Sequence, residues 1–443
     1  MTTPRLRFAP SPTGYLHVGN VRTALINVLF AKKTGGTFFL RMDDTDTERS
    51  RPEFEAAIIE DMQWLGLTWE GEPVRQCERF DRYDEAKQKL VDAGRLYPCY
   101  ETAEELDFKR KMLSGRGKPP IYDRAALSLT DEQKAAYEAE GKQPHWRFKL
   151  DDDAIVWNDM VRGECSLQAT HMSDPVLIRA DGVPLYTLSS VVDDIDMDIT
   201  HIVRGEDHVS NSAVQIQIFE ALGGKVPSFA HMALLTTKDG KLSKREGGGD
   251  IRSLREQGIA PEAINSLLGM IGTSHAVELK PSLDALAENF DFSTFSRSAA
   301  QYDEDELHRL NTKLLHVMSL AEAAEKTGLA LTEPFWHAVR ENIESIDDVA
   351  EWWAMVHEPL TPQIDDAEYC TKAATLLPDG EWDADSWKHF TDAVKQATGR
   401  KGKELFMPLR LALTGRSNGP DLPTMFQLLG REKVEQRLNG KAA

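Results

Sequence analysis

The sequence predicts a mixed α/β region followed by an all-α region. A strand–turn–helix–strand pattern opens the chain, strands and helices alternate again from "LYTLSS" to "HMALLTT", and only helical patterns occur after about residue 310. In βαβ units, anionic ligands bind at the helix N-terminus beyond the ends of the strands. We therefore expect an anion-binding site at the first turn.

That first turn is the stretch "RFAPSPTGYLHVGN", from Arg7 to Asn20. Pro10 and Pro12 cannot donate backbone hydrogen bonds, so they end the preceding strand. Apolar residues then recur on one face of a helix over 21–31, and the strand "TFFLRM" follows a pair of glycines. His17 is placed to donate to a phosphate at the start of this helix. A proline-rich turn with a surface histidine is the alternative.

A second stretch, "LLTTKDGKLSKREGGGD", carries a basic cluster between glycines. Lys241, Ser243, Lys244 and Arg245 follow an Asp-Gly turn. Lysines on a glycine-hinged loop can close over a polyphosphate and stabilise charge that moves to the leaving group. A solvated basic loop is the alternative.

Composition limits the classes of protein that fit. A chain of 443 residues suggests two to four domains, and its net charge of −20 argues against a generally basic nucleic-acid-binding surface. The four cysteines are too far apart in sequence for a disulfide framework or a CxxC zinc site. With neither a signal-peptide pattern nor a long apolar run, we expect a cytoplasmic protein.

Acidic clusters at residues 43–46, 151–153 and 193–198 could suggest bound cations. They lack the spacing and glycine of a calcium-binding loop, so helix caps, turns and solvated faces are expected there instead. Asp43 is the one member for which we expect a functional role. Cys99 stands without a cysteine partner in "YPCYE", and we expect no protein-bound zinc.

Together the two basic and glycine-rich stretches resemble a known family. "HVGN" is similar to the HIGH signature, and "KLSKR" to the KMSKS signature, of class I aminoacyl-tRNA synthetases. "LRMDDTDTERS", "LYTLSSVVDD", "HIVRGEDH" and "GKELFMPLRLALTG" extend the resemblance, in order, to the glutamyl-tRNA synthetase family. Asn20 replaces the second histidine, and Leu242 and Arg245 replace methionine and serine, at positions where this family varies.

The resemblance implies a fold and a reaction. It implies a Rossmann-type catalytic domain in two halves (1–97 and 189–238), an inserted tRNA acceptor-binding domain (98–188), a stem-contact region (239–310) and a helical anticodon-binding domain (311–443). ATP, accompanied by Mg²⁺, activates glutamate as glutamyl-adenylate, in a step expected to await tRNA. The terminal adenosine of tRNA(Glu) then accepts the amino acid. We expect a monomer.

The resemblance also assigns residues. His17 and Lys244 are expected to be catalytic; the residues expected at ATP are Pro10, His17, Gly19, Asn20, Lys241, Ser243, Lys244 and Arg245. The residues expected at glutamate are Arg7, Ala9, Ser11, Asp43, Tyr186, Ser190 and Arg204. An arginine suits a substrate carboxylate because its guanidinium can bind it through two hydrogen bonds. Asp43 is expected to receive the substrate ammonium, and the contact of Ser190 stays open because some relatives carry asparagine there.

Two basic segments are candidates for tRNA phosphates. The first is "DFKRKMLSGRGKPP" in the inserted region, with Lys109, Arg110, Arg116 and Lys118. The second runs from Lys395 to Arg416, where six basic residues face only Glu404, and we favour Arg400, Lys401 and Lys403 as contacts.

Three alternatives are weighed against a glutamate-specific synthetase. A glutamyl-queuosine synthetase lacks the long helical tail, and a glutaminyl enzyme has a β-barrel there. A non-catalytic tRNA-binding paralogue need not keep Arg7, His17, Arg204 and Lys244, all of which are present. Whether the enzyme also charges tRNA(Gln) is left open by the sequence.

Overall fold

A computed structural model describes residues 3–237, 240–241, 249–383 and 385–443, with residues 240 and 241 described by their backbone. The chain forms two compact units. The first comprises residues 1–254 and 264–303, and the second comprises residues 255–263 and 304–443.

The described residues form thirteen strands and eighteen α-helices. The strands are β1 (Arg5–Phe8), β2 (Thr37–Met42), β3 (Val74–Arg75), β4 (Leu96–Cys99), β5 (His145–Phe148), β6 (Ala154–Asp159), β7 (Gly163–Gln168), β8 (Val176–Ile178), β9 (His201–Gly205), β10 (Ser228–Met232), β11 (Leu235–Thr237), β12 (Gly240–Lys241) and β13 (Ala300–Gln301). The helices are α1 (Val18–Thr34), α2 (Pro52–Trp64), α3 (Phe80–Asp92), α4 (Ala103–Gly115), α5 (Asp131–Ala139), α6 (Tyr186–Asp196), α7 (Val209–Ala221), α8 (Ile251–Glu256), α9 (Pro261–Met270), α10 (Leu283–Glu288), α11 (Glu304–Val317), α12 (Leu320–Thr327), α13 (Glu333–Val339), α14 (Asp348–His357), α15 (Ala367–Ala374), α16 (Ser386–Thr398), α17 (Lys403–Thr414) and α18 (Leu422–Leu438).

The predicted βαβ unit at the start of the chain is confirmed. β1 and β2 pair in parallel, with Arg7 opposite Phe39 and Phe8 opposite Leu40. The intervening α1 ends at Gly35, whose φ of 62° lies in the left-handed region that glycine adopts without strain. Parallel strands have their carboxyl ends at one edge of the sheet, so the turn after β1 and Asp43 after β2 lie together.

A four-stranded sheet in the order β7-β6-β10-β9 supplies the other wall of the site. β9 and β10 run parallel, with Arg204 opposite His231. The antiparallel β6–β7 hairpin comes from the segment that we predicted to be inserted, yet β6 pairs with β10 through Asp159 and Phe229. Apolar residues of α6, α7 and the strands, including Leu188, pack beneath this sheet.

The stretch "REQGIAPEAINSLLGMIG" forms two helices, because α8 ends at Glu256 and α9 begins at Pro261. Gly258 between them has a φ of +72°, which a continuing right-handed helix does not allow. The cluster at 193–198 is not only a solvated face, because Asp193 and Asp194 are buried and paired with arginines.

The second unit is helical, as predicted. Throughout its described residues, the regular elements after residue 303 are helices. Trp336, Trp352 and Trp387 are buried in the core of this unit, and Trp353 and Trp382 pack against it. These tryptophans therefore belong to the core of the second unit.

Within the described residues, none of the helices is both long and apolar enough to cross a bilayer.

Candidate active site

A cleft of about 880 Å³ opens in the first unit at the carboxyl ends of the parallel strands. Its walls come from the turn after β1, the start of α1, the ends of β2, β9 and β10, and the start of α6. The predicted residues on this wall are Arg7, Ala9, Pro10, Ser11, His17, Gly19, Asn20, Asp43, Tyr186 and Arg204. The fold thus brings residues from four distant stretches of sequence to one site.

His17 caps the N-terminus of α1. Its Nδ1 accepts a hydrogen bond from the backbone N–H of Gly19 at 3.1 Å, so we assign the hydrogen of the neutral imidazole to Nε2. A Cβ at position 19 would lie 3.0 Å from the His17 ring. Glycine therefore keeps room for the imidazole in this turn.

The backbone at residues 249–251, which follows the second signature stretch in sequence, pairs with this turn. Lys244, Ser243 and Arg245 lie outside the described residues, as does the side chain of Lys241. The backbone that follows them pairs with the turn: Val18 N donates to Gly249 O at 2.8 Å, and Ile251 N donates to Leu16 O at 3.2 Å.

Arg7 and Arg41 share one buried aspartate. Arg7 donates from Nε and Nη2 to the two carboxylate oxygens of Asp194 at 3.0 and 3.1 Å, and Arg41 Nη1 donates to Asp194 Oδ1 at 2.7 Å. Burial opposes ionisation of Asp194, but the two guanidinium groups outweigh it and hold its pKa below the ordinary value. The charge of Arg7 is thus already balanced by a carboxylate of the protein.

Arg204, near the end of β9, has a different environment. Nη1 donates to Tyr186 Oη at 2.8 Å, and Nη2 donates to Ser212 Oγ and Gln215 Oε1 at 2.6 Å each. Among the described residues, its buried Nε has no hydrogen-bond partner and no carboxylate pairs with the guanidinium. Burial lowers the pKa of Arg204 because it removes solvation from the charge. Among the described residues, the hydrogen-bond partners of this buried cation on the cleft wall are therefore neutral.

Asp43 and Ser190 both contact Arg41. Arg41 Nε donates to Asp43 Oδ1 at 2.7 Å, while the backbone N–H of Asp43 donates to Pro10 O at 2.9 Å. Burial raises the pKa of Asp43, although Arg41 opposes the shift. Ser190 lies behind Arg41, whose Nη2 donates to its Oγ at 3.2 Å, and is not on the cleft wall that the described residues form.

The basic residues predicted for the acceptor end lie on and after α4. Lys109 is paired with Glu101 and Asp123 at 3.3 and 3.2 Å. Arg110, Arg116 and Lys118 are exposed. Their charges are thus more accessible to an anionic partner than that of Lys109.

In the second unit, Arg400 is also partly neutralised. Its Nη2 lies 2.6 Å from Asp366 Oδ2, and its guanidinium stacks 4.2 Å from the ring of Tyr369. Lys401 and Lys403 are exposed at the start of α17.

Several residues that shape the site were missed in the sequence. Arg41 and Asp194 form the ion-pair network behind the cleft, and Ser212, Gln215 and His231 surround Arg204. A charged residue inside the apolar strand "TFFLRM" and two aspartates after the apolar "VV" were the available signals. Ser212 and His231 gave no comparable signal.

Among the described residues, no three His, Cys, Asp or Glu side chains are arranged to hold a metal ion. Cys99 is buried close to Tyr122, and burial raises the pKa of its thiol to about 12.

The chain matches two protein families. Residues 4–309 match tRNA synthetases class I (E and Q), catalytic domain. Residues 312–441 match an anticodon binding domain.

Curated relatives are similar over nearly the whole chain. Glutamate–tRNA ligase 2 of a Methylobacterium species is 55% identical, covering 99% of this chain and 100% of that protein. Glutamate–tRNA ligase 1 of Maricaulis maris is 54% identical with the same coverage. A crystal structure of a glutamate tRNA ligase from Elizabethkingia meningosepticum, in complex with its amino acid, superposes with a TM-score of 0.84 at 29% identity and covers 99% of each chain. By sequence and by structure, the chain belongs to the glutamate–tRNA ligase family of class I tRNA synthetases.

Proposed function

We propose that this protein activates L-glutamate with ATP and transfers it to the 3′-terminal adenosine of tRNA(Glu). The observation that carries the proposal is the buried Arg204, which lines the cleft without a carboxylate partner among the described residues. Transfer of an unpaired charge from water is costly, so a substrate carboxylate there gains a charge-assisted pair and relieves that cost. Membership of the glutamate–tRNA ligase family supports the same substrate.

The chemistry needs positioning and charge stabilisation more than a protein nucleophile. The α-carboxylate of glutamate attacks the α-phosphorus of ATP and pyrophosphate leaves; the adenosine hydroxyl of tRNA then attacks the acyl carbon and AMP leaves. His17 Nε2 and the N-terminus of α1 are suited to bind phosphate oxygens. Lys244 would stabilise the charge that develops on pyrophosphate. Mg²⁺ would accompany the phosphates of ATP, and we assign no side chain to it.

Substrate recognition divides between the two walls of the cleft. Arg204, held by Tyr186, would take one carboxylate of glutamate, and Arg7 would reach the side-chain carboxylate while keeping Asp194. Asp43, with Ala9 and Ser11 beside it, would face the ammonium group. We further propose that two exposed basic groups contact tRNA. Arg110, Arg116 and Lys118 would contact the acceptor end, and Lys401 and Lys403 would contact the anticodon arm. We also propose that the protein acts as a cytoplasmic monomer.

Aminoacylation with labelled glutamate tests the proposal. Purified tRNA(Glu) and tRNA(Gln) are incubated separately with the protein, ATP and Mg²⁺, and acid-precipitable label is followed. We expect the wild-type protein to charge tRNA(Glu). The Arg204→Gln variant, measured beside it as the matched control, should charge tRNA(Glu) far more slowly. Charging of tRNA(Gln) as well would identify a relaxed enzyme, whereas failure to charge either tRNA would contradict the proposal.

A further inference from the structure

A buried chain of hydrogen bonds leads from Arg204 away from the cleft. Arg204 Nη2 lies 2.6 Å from Ser212 Oγ, which lies 2.7 Å from His231 Nε2. His231 Nδ1 in turn lies 2.5 Å from Asp159 Oδ2. Ser212 and His231 are 0% exposed, and Asp159 is 2% exposed. The chain therefore lies in the interior, where each hydrogen bond is shielded from water.

The proton positions along this chain follow from its two ends. Burial opposes ionisation of Asp159, but the hydrogen bonds from His231 and from backbone N–H groups, together with the charge of His231, outweigh it, so the pKa of Asp159 falls below its ordinary value. Burial lowers the pKa of His231, which favours the neutral imidazole. The ionised carboxylate of Asp159 can only accept a hydrogen bond, so the proton of the neutral His231 imidazole is on Nδ1. His231 Nε2 must then accept a hydrogen bond from the Ser212 hydroxyl.

This order leaves Ser212 Oγ as an acceptor toward Arg204. A serine hydroxyl has one proton and two lone pairs, and the other acceptor near Ser212, the carbonyl of His208, is farther away at 3.2 Å. The lone pairs thus stay available to Arg204 Nη2, which Gln215 also holds at 2.6 Å. The guanidinium is fixed through Nη2, while its buried Nε has no partner among the described residues.

The far end of the chain is anchored in the sheet. Asp159 Oδ1 accepts backbone N–H bonds from Val161 at 3.0 Å, Arg162 at 2.9 Å and His231 at 3.2 Å. A carboxylate with several backbone donors has a fixed orientation and so can fix the imidazole ring.

Serine, histidine and aspartate in this order also occur in hydrolases, where the serine is a nucleophile. Here the Ser212 hydroxyl is fully buried and its oxygen already accepts from Arg204. A nucleophilic role would need an accessible oxygen, so this arrangement suits support of a neighbouring group instead.

We propose that Ser212 and His231, with Asp159 behind them, are positioning residues that hold Arg204 in the orientation that binds a carboxylate of glutamate. The inference rests on the proposed function. It assigns the specificity of the site partly to residues that do not touch the substrate, since loss of their hydrogen bonds lets the guanidinium rotate away from its productive position.

Steady-state charging of tRNA(Glu) by Ser212→Ala and His231→Asn tests this role. Loss of a hydrogen bond to a charged group predicts a rise in the KM for glutamate on the order of tenfold. The KM for ATP should stay within about twofold, because the chain reaches only Arg204. The matched control is His201→Asn. His201 is a half-buried histidine on β9, the strand next to β10, and its side chain forms a hydrogen bond with Thr200. The His201→Asn variant should keep the wild-type ratio of the KM for glutamate to the KM for ATP.

A double-variant cycle separates positioning from a general effect on the fold. In an Arg204→Gln background, measured by single turnover with excess enzyme, Ser212→Ala should cause little further loss because the group that it orients is gone. Equal rises in both KM values, or the same loss in both backgrounds, would overturn the inference while leaving the proposed function intact. Failure of the unchanged protein to charge tRNA(Glu) would instead overturn the proposed function.

Discussion

At the scale of single residues, the cleft holds two arginines in opposite electrostatic environments. Arg7 forms a two-point ion pair with Asp194, whereas the described partners of Arg204 are neutral oxygens. The sequence singles out both arginines by resemblance to the family but does not distinguish between them. The distinction depends on Asp194 and Ser212, which are distant in sequence, and only the fold shows which arginine is already balanced.

Arg7→Gln tests the assignment of Arg7 to the side-chain carboxylate. Loss of a desolvated contact of this kind costs on the order of 2–5 kcal/mol of substrate binding. Glutamate should lose part of its advantage over glutamine, because the variant no longer offers a guanidinium to the side-chain carboxylate that glutamine lacks. Competition between labelled glutamate and glutamine in charging assays measures this. Asp194, with Arg41 still bound, should keep the fold intact. Unchanged preference would mean that Arg7 serves only its ion pair with Asp194.

His231 gives the protein a pH-dependent stability. Burial lowers its pKa from the ordinary 6.5, so below that value the unfolded chain binds a proton that the folded protein does not. The free energy of unfolding should therefore fall as the pH falls from about 7 to about 5, by at most about 1.4 kcal/mol per pH unit from this group.

Urea unfolding of the wild type and of His231→Asn at several pH values checks this prediction. The slope of the free energy of unfolding against pH should be shallower in the variant. The exposed His171 supplies the control, since His171→Asn should keep the wild-type slope. Equal slopes for the wild type and His231→Asn would contradict a buried neutral imidazole.

At the scale of elements, the site depends on where strands end. The turn after β1 and Asp43 after β2 meet because parallel strands place their carboxyl ends at one edge of a sheet. Arg204 reaches the same cleft from near the end of β9 in the four-stranded sheet. The prolines, glycines and apolar spacing predicted the βαβ unit well, since those signals are local. The pairing of β6 with β10 was not predictable in this way, because residues far apart in sequence form it through Asp159 and Phe229.

Lys244→Ala tests the role of the segment between β12 and α8. We expect the rate of adenylate formation to fall far more than the affinity for ATP, because the lysine should act on charge that develops in the transition state. Single-turnover release of pyrophosphate, with tRNA present, measures the rate. An unchanged rate of adenylate formation with weakened ATP binding would show instead that Lys244 stabilises bound ATP in the ground state.

At the scale of the whole molecule, an acidic chain carries exposed local basic segments, which we propose as the contacts with tRNA. The chain carries a net charge of −20, yet Lys401 and Lys403 are exposed in the second unit, and Arg110, Arg116 and Lys118 are exposed in the first. The helical tail was predictable from periodicity. The pairing of Arg400 with Asp366 was not, because a charge count over a segment does not show which charges are neutralised by distant residues.

Lys401→Ala combined with Lys403→Ala should weaken tRNA(Glu) binding. If each lysine contacts a phosphate, the double variant should reduce the slope of log affinity against log salt by about 1 per lysine. Lys313→Ala, an exposed lysine on α11, is the control. Filter binding across a salt series measures both quantities; an unchanged slope would show that neither lysine contacts the tRNA backbone.

The most direct test of the account is the KM for glutamate of Arg204→Gln compared with that of the wild type. A buried cation that receives a substrate carboxylate predicts a rise of at least about 30-fold in this KM, from a loss on the order of 2–5 kcal/mol. The KM for ATP should change by no more than about twofold, because His17 and Lys244 are expected to bind ATP. A glutamate KM equal to that of the wild type, in a folded variant, would contradict the central claim.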